Sequence, residues 1–468
     1  MTAATTAAGP HPIPADGGAL PRLLPPACRP AGLAAHLGLH GPLPYRGAAR
    51  ALIADVRASG LTGRGGAAFP VHRKLEVVAA ARPGRAVVVG NGAEGEPASH
   101  KDEALLTLAP HLVLDGLQLA AEAVGAGRAI LYVRHDVLGR TRIEARISER
   151  TATGLDRVPV SVIPAPGRFL AGQESALSSL VSGAAAVPRF TPPRVSERGV
   201  DGRPTLVQNV ETLAHLALVA RYGPAWFRSL GTLSEPGTML CTLRQADGSV
   251  TVAEAAIGTP LATLLDLRAA SAILIGGYHG AWIPVRQAAT LALSNAALRP
   301  VGGFLGAGVL AALPARRCGL AEAARVARYL ARESAGQCGP CRNGLPAIAA
   351  ATTELAGPPL SAHLDPNPSP PAAPHLSAHL DPNPSPPAAP HLSPHPGPRV
   401  LADLTRWAGL VEGRGACHHP DGTVRFLRSA LRTFGDEVGE HVRGRCTGSD
   451  GRPFLPVPAG RADGDEGS

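Results

Sequence analysis

Arg85-Ala86-Val87-Val88-Val89 runs straight into Gly90-Asn91-Gly92-Ala93-Glu94-Gly95-Glu96-Pro97, with Lys101-Asp102 close behind. A β-branched run that ends in glycine reads as a short strand. The acidic, glycine-bearing loop then sits where parallel sheets contact ligands, at the carboxyl ends of their strands. Working outward, Pro110–Val124 repeats apolar residues at helical spacing and Ala129–Val133 reads as a second strand. Residues 137–150 read as a polar helix and Val158–Ile163 as a third strand. Upstream, residues 48–59 read as a helix ended by Gly60. This βαβαβ rhythm predicts an α/β fold, a parallel sheet covered by helices, over residues 45–230.

The pattern changes after residue 230. Thr238–Arg244, Ser249–Ala253 and Ala272–Ile275 read as strands and Pro260–Leu267 as a short helix, a small α+β domain over 231–314. From residue 315 to 445 helices dominate: Leu320–Arg332, Arg342–Leu355, Val400–Leu410 and Val424–Val442, a helical bundle. A 16-residue segment occurs twice in tandem at 361–376 and 377–392; its prolines exclude helix, and it reads as a duplicated surface loop. Residues 1–44 and 446–468 read as a disordered arm and tail.

Composition narrows the function. Of 45 basic residues only Lys74 and Lys101 are lysine, so the net charge of +9 reflects scattered arginines, and no nucleic-acid partner is expected. No apolar run approaches the length of a membrane span, and the N-terminus lacks the basic start and apolar core of a secretory signal. Seven cysteines, an odd number, argue against a disulfide framework and for a reducing, cytoplasmic compartment. Cys28, Cys241, Cys318 and Cys446 stand alone in the sequence and read as inert. Cys338, Cys341 and Cys417 form a candidate metal set.

Between Gly60 and Pro70 lie Gly63, Arg64, Gly65 and Gly66, a run whose bare backbone suits an anion. It lacks the Lys-Ser/Thr ending of a P-loop and follows a helix rather than a strand. Lys74 just beyond is a counter-charge for phosphate, and the carboxylates of the 91–97 loop suit ribose or ribityl hydroxyls.

Five segments resemble, in order, those of the NADH-binding flavoprotein subunit of respiratory complex I and related diaphorase subunits. They are Gly60 to Pro70 with Lys74; Asn91 to Lys101; Gly172-Gln173-Glu174-Ser175-Ala176-Leu177; Gln208-Asn209-Val210-Glu211-Thr212-Leu213; and Glu333-Ser334-Ala335-Gly336-Gln337-Cys338-Gly339-Pro340-Cys341-Arg342-Asn343-Gly344. The resemblance implies an FMN-binding α/β domain, a β-grasp domain and a helical domain with a 4Fe–4S cluster. It also implies an NADH:acceptor oxidoreductase in which NADH reduces FMN and electrons leave through the cluster. Gly63, Arg64, Gly66, Lys74, Asn91, Glu94, Asn209 and Thr212 would hold FMN. Gly65, Phe69, Glu96 and Glu174 would face NADH, with Glu96 the catalytic candidate; Gly95, Gly172, Gln173 and Gln208 complete the cofactor loops. The implied partners are ferredoxin-like or peripheral-arm subunits at the inner face of a membrane, with no direct insertion.

The chain departs from the family at named places. Ala93 stands for Asp, Gln173 for Glu, Gln208 for Asn, Thr191 for Lys, Arg194 for Phe, and Val77 where an aromatic is common. Ala335 occupies the first cysteine position. The 75 residues between Cys341 and Cys417 include the 32 of the repeat, and without them the spacing is that of the family, which makes Cys417 its last ligand. Three outcomes stand open for this site: a cluster short of one ligand or completed by Ser334, His418 or His419; a zinc on three cysteines and a histidine; or no metal. The alternative function is a non-catalytic relative that keeps flavin or nucleotide binding or serves in assembly.

Overall fold

The computed structural model describes residues 22–25, 29–45, 47, 49–81, 84–134, 140–190, 192–357, 398–446 and 448–458. The tandem repeat, Cys28, Thr191 and the chain's outermost residues lie outside these.

The first part of the chain runs α1 (Leu33–His40), α2 (Ala49–Ser59), α3 (Val71–Ala79), β1 (Val87–Gly92), α4 (Lys101–Leu108), α5 (Pro110–Val124), β2 (Arg128–Arg134), α6 (Arg140–Ala152), β3 (Val160–Ala165), α7 (Glu174–Val181), β4 (Thr205–Asn209) and α8 (Val210–Arg228). The sheet is parallel, in the order β3-β2-β1-β4. Side chains alternate across it. Val88, Leu131 and Leu206 enter the core under α5 and α8, and Val87, Val89, Ile130, Tyr132 and Val207 enter the core with Leu177 of α7. A Cβ at Gly116 would lie 1.9 Å from Leu213 O, so only glycine lets α5 and α8 approach this closely. The three anticipated strands are present; β4, α3 and α4 were not anticipated.

The second part runs β5 (Thr238–Arg244), β6 (Val250–Ala256), α9 (Leu261–Leu264), β7 (Ala270–Ile275), β8 (Ala281–Pro284), α10 (Val285–Ala288), α11 (Asn295–Leu298) and β9 (Val309–Pro314). These strands form one sheet ordered β6-β5-β9-β7-β8, parallel between β5 and β9 and antiparallel elsewhere. It follows the strand periodicity but adds β8 and β9 to the three anticipated strands. The third part runs α12 (Gly319–Arg332), α13 (Leu345–Ala356), α14 (Pro398–Val411), α15 (His419–Thr433) and α16 (Gly435–Val442). The single helix expected over 424–442 is two, broken at Phe434, whose ring packs on Gly319. Leu274, Trp282, Ala311 and Leu313 of the second sheet share a core with these helices, while Ile273, Ile275 and Leu310 face the sheet's own core.

Two expectations of disorder are corrected where residues are described. In the N-terminal stretch, Leu23 and Leu24 are buried, and the Arg22 and Leu23 amides donate to Glu254 Oε2 at 2.7 and 2.8 Å. His36 of α1 meets Asp115 at 2.8 Å, in a buried cluster with Arg150 and Arg221. Burial alone would raise Asp115, but those three partners hold it at about 2. In the tail, Phe454 and Leu455 are buried and their amides donate to Glu322 at 2.8 and 3.1 Å. Small apolar anchors like these are hard to see in a Gly/Pro-rich stretch, because what they pack against is distant in sequence.

Candidate functional site

The glycine-rich loop joins α2 to α3 and closes on itself: Gly63 N donates to Phe69 O at 2.9 Å and Val71 N to Leu61 O at 3.1 Å. Gly66, at φ 108°, bridges Gly306 ahead of β9, fastening the loop between the two sheets. A Cβ at Gly65 would stand 3.3 Å from Asn209 Cβ, so the bare backbone lies against the end of β4. Arg64 N donates to Thr212 Oγ1 at 2.8 Å, and the Arg64 guanidinium donates to Thr238 O at 3.1 Å and Thr62 Oγ1 at 2.9 Å. These two predicted flavin contacts thus hold the loop in place.

The loop after β1 is equally tied. Asn91 Nδ2 donates to Gly172 O at 2.8 Å, drawing in the Gly172–Leu177 segment. There Gln173, which stands where the family has Glu, caps α7: its Oε1 accepts from Ser175 N and Ala176 N at 2.9 Å. Glu174 pairs with Lys74 at 2.8 Å, so these two predicted ligand contacts meet each other. Asn209 caps α8 by accepting from Glu211 N at 3.1 Å, and its Nδ2 donates to Asp102 at 2.7 Å. Gln208 Nε2 is buried without a hydrogen-bond partner.

Carboxylates gather here out of water. Glu94 caps α4, accepting from Lys101 N at 3.0 Å and from the Ser99 hydroxyl; burial and neighbouring Asp102 push it up to about 7. Glu96 reaches the second sheet, accepting from Tyr278 N at 2.7 Å and Ala98 N at 3.2 Å. Burial pushes it up to about 7, against the lowering effect of those amides. Lys101 is 2% exposed, with its Nζ 2.6 Å from Asp102 Oδ1 and 3.0 Å from Glu211 Oε2. Its burial would lower its pKa, but Asp102, Glu211 and Glu94 together raise it. Lys101 is therefore a buried counter-ion between α4 and α8, where the sequence suggested only a lysine beside a cofactor loop.

A cavity of about 280 Å³ is lined by Gly65, Asn91, Glu96 and Asn209 from these loops and by Cys417 and His419 from the helical part. The helical motif and the flavin-type loops thus face one space. Next to it, a cavity of about 320 Å³ is lined by Glu94, Arg134, Tyr329 and the tail residues Pro456 and Val457. Phe69 is 41% exposed beside the glycine loop, and Val77 and Arg194 are also exposed.

Sequence reasoning missed the residues bridging the parts. The Phe169 ring packs edge-on against His279 and Tyr329, and Phe169 N donates to Glu333 at 2.8 Å. His279 Nε2 lies 3.0 Å from His419 Nδ1, and His419 Nε2 lies 2.8 Å from Leu330 O. Burial lowers both histidines, His419 to about 4, so the pair is neutral. Both ring nitrogens of His419 are thus engaged by His279 and Leu330. His418 is fully exposed and lies 3.6 Å from Asp421. Only its place next to Cys417 flagged His419 in the sequence; nothing there signalled Phe169 or His279.

Cys341 is buried on a π turn, Pro340–Gly344, and Cys338 and Cys417 are half-buried. Burial, with Cys338 and Cys417 nearby, pushes Cys341 up to about 12. A flavin nucleotide fits the first half of the site: Gly65 leaves the room a side chain would take, and Gln208 Nε2 offers a buried donor. A four-thiolate cluster does not fit fully, because Ala335 presents a methyl where the fourth cysteine would stand. The Cys338 and Cys341 side chains interact directly, with Cys417 beside them, and Cys318, His441 and Cys446 form a second group whose donor atoms all lie within 4.8 Å of one another. The second trio corrects the reading of Cys318 and Cys446 as isolated.

Comparison with known proteins agrees with this arrangement. The model of the Nuo51 FMN-binding domain matches residues 56–218, and that of the NADH-ubiquinone oxidoreductase-F iron-sulfur binding region matches 321–358. The chain is 28% identical to the NADH-quinone oxidoreductase F protein of Streptomyces coelicolor, over 87% of this chain and 85% of that one. It is 30% identical to the second of two NADH-quinone oxidoreductase F proteins of Rhizobium meliloti, over 62% and 73%. A solved chain of an NAD+-reducing NiFe-hydrogenase in the H2-reduced state superposes with a TM-score of 0.72 at 25% identity, covering 89% of this chain and 68% of that one. The parallel sheet with its glycine loop, the two region matches in chain order and the extent of the shared sequence all lead to one assignment: the chain belongs to the NADH-quinone oxidoreductase F family.

Proposed function

We infer that this protein is an NADH:acceptor oxidoreductase that binds FMN at the glycine-rich loop and passes electrons toward the Cys338–Cys341–Cys417 site. The observation that carries this reading is the cavity lined by both Asn91, Glu96 and Asn209 and by Cys417. Electron transfer needs its two centres close together, and these elements, more than 200 residues apart in the sequence, border the same space. FMN, when bound, supplies a hydride acceptor that can release electrons singly.

The chain's own groups bind and shape. Gly63 N and Arg64 N already hold the loop closed, which leaves the Gly65–Gly66 backbone to receive a phosphate, with Lys74, paired to Glu174, as a nearby cation. Gln208 Nε2 is the amide donor left open to a flavin, while Asn91 and Asn209 line the cavity with their own amides holding Gly172 and Asp102. Glu96, pushed up to about 7, is largely uncharged in mildly acidic solution and so limits repulsion of an anionic dinucleotide. The exposed Phe69 ring gives NADH an apolar surface to stack on. Cys338, Cys341 and Cys417 would hold a cluster whose remaining iron lacks a protein thiolate. The acceptor would be a ferredoxin-like or peripheral-arm subunit; among the described residues no single helix is long and apolar enough to cross a membrane.

Ala335 and the exposed Arg194 favour a second reading, a flavin-binding relative without onward electron transfer. Anaerobic titration of the FMN-loaded protein with NADH separates them. Bleaching of the flavin followed by reduction of an added one-electron acceptor supports the first reading. A flavin that binds but does not bleach supports the second, and no flavin binding refutes both.

A further inference from the structure

Cys318, His441 and Cys446 play no part in the flavin site, yet their ligand atoms all lie within 4.8 Å of one another. Cys318 caps α12, with its Sγ 3.3 Å from His441 Nε2 and accepting from Ala321 N at 3.3 Å. His441 lies in the last turn of α16, and Cys446 follows that helix at the surface. The three donors come from two places in the chain, 123 residues apart at the Cys318–His441 contact. Glu437, one turn before His441, accepts from Gly319 N at 2.9 Å and holds its carboxyl against the Cys318 thiol.

We propose that Cys318, Cys446 and His441 form a zinc site that clasps the C-terminal segment onto the start of α12. Two sulfurs and an imidazole nitrogen are the donor set zinc prefers. In a tetrahedral site with Zn–S about 2.3 Å and Zn–N about 2.0 Å, the donors stand about 3.5–3.8 Å apart. The 3.3 Å contact and the 4.8 Å limit bracket that spacing. Glu437 or a water completes the tetrahedron. Three features prepare the site. Ala321 N at the head of α12 donates to Cys318 Sγ and aims the sulfur, while burial and the neighbouring Glu437 carboxyl keep the metal-free thiol protonated. The carbonyls of Leu355 and Ala356 face the His441 imidazole and orient the ring, as outer partners of zinc-bound histidines do. The exposed Cys446 side gives the ion a way in. On binding, the two thiols release their protons to solvent, and no electrons change hands.

The clasp has a consequence for the rest of the molecule. A Cβ at Gly448 would stand 2.7 Å from Cys318 N, so the chain after Cys446 lies directly on the α12 cap. Ser449 N and Asp450 N then donate to Arg316 O at 3.0 and 3.2 Å, and Asp450 pairs with Arg317 at 3.0 Å. Further on, Pro456 O accepts from the Tyr278 hydroxyl, and Pro456 and Val457 wall the cavity beside Glu94 and Arg134. Zinc at the clasp would hold that wall in place.

The test is metal analysis of the full chain and two variants, each checked by circular dichroism. The first replaces Cys338, Cys341 and Cys417 with serine, removing the other thiol site. The second is Cys446→Ser, at an exposed position after the last helix. The expected result is about one equivalent of zinc in the first variant, and one equivalent fewer in Cys446→Ser than in the parent at unchanged flavin and iron content. Cobalt in place of zinc should give a thiolate-to-metal charge-transfer band in the first variant. Limited proteolysis should cut within 448–458 faster in Cys446→Ser than in the zinc-loaded parent. A folded first variant without zinc, zinc retained in Cys446→Ser, or a Cys318–Cys446 disulfide in protein kept under reductant would each overturn the proposal. If the first variant does not fold, the comparison of Cys446→Ser with the parent decides it.

Discussion

Glu96→Gln should destabilise the protein in acid and stabilise it at alkaline pH. Glu96 sits at 9% exposure between the acidic loop and the Gly277–Tyr278 turn and is pushed from its ordinary 4.5 to about 7. A raised acid adds stability that is fully present below its unfolded value and is lost as pH rises through the folded value, so the window is pH 4.5 to 7. At about 1.4 kcal/mol per tenfold, the ionised carboxylate at pH 8 is disfavoured by about 3 kcal/mol relative to the protonated group at low pH. Glutamine avoids that penalty and keeps an oxygen for the Tyr278 amide, but its NH2 meets the Ala98 amide, a loss of about 1 kcal/mol. The variant should therefore be about 2 kcal/mol more stable than the parent at pH 8 and about 1 kcal/mol less stable near pH 4.5. Urea unfolding of the flavin-free proteins between pH 4.5 and 8 measures the difference, to which relief of the Glu94–Glu96 repulsion at alkaline pH adds in the same direction. Parallel stability curves across that range would refute the reasoning.

Three other perturbations follow from the same geometry. Lys101→Met leaves Asp102 and Glu211 facing each other without their cation and should destabilise by about 3–5 kcal/mol in chemical denaturation; a loss under 1 kcal/mol would mean the cluster is solvated. Gly95→Ala puts a Cβ 2.2 Å from Phe169 O and must displace the acidic loop, so FMN affinity measured by fluorescence quenching should fall at least tenfold, by about 1.4 kcal/mol or more; unchanged affinity would place the flavin elsewhere. Ala335→Cys restores the missing thiolate and should raise iron and sulfide to about four each per chain after anaerobic reconstitution; no gain in iron would mean that position 335 does not face the other three cysteines.

Much of the frame was legible because it rests on local pattern. The valine run at 87–89, the apolar period of Pro110–Val124 and the strand at Thr238–Arg244 all show in a short window. Strand β4 was not legible: Thr205-Leu206-Val207 is too short to stand out, and its place beside β1 comes from pairing across more than a hundred residues. The motifs identified which residues gather, but not what each one does. Arg64 and Thr212 bind each other, Gln173 and Glu94 cap helices, and Lys101 neutralises buried carboxylates; each role depends on a partner that no local spacing reveals.

The sequence by itself determined the parallel sheet, the glycine-rich and acidic loops, the family resemblance and the three-cysteine set lacking its fourth member. These follow from period, glycine and spacing, which are properties of neighbouring residues. Only the tertiary structure decided that His419 pairs with His279 and Leu330, that the tail walls a cavity, and that Cys318 meets His441 and Cys446. Such convergences are made when separate elements bury their apolar faces against a common core, and the polar groups brought together are set by that packing rather than by distance along the chain.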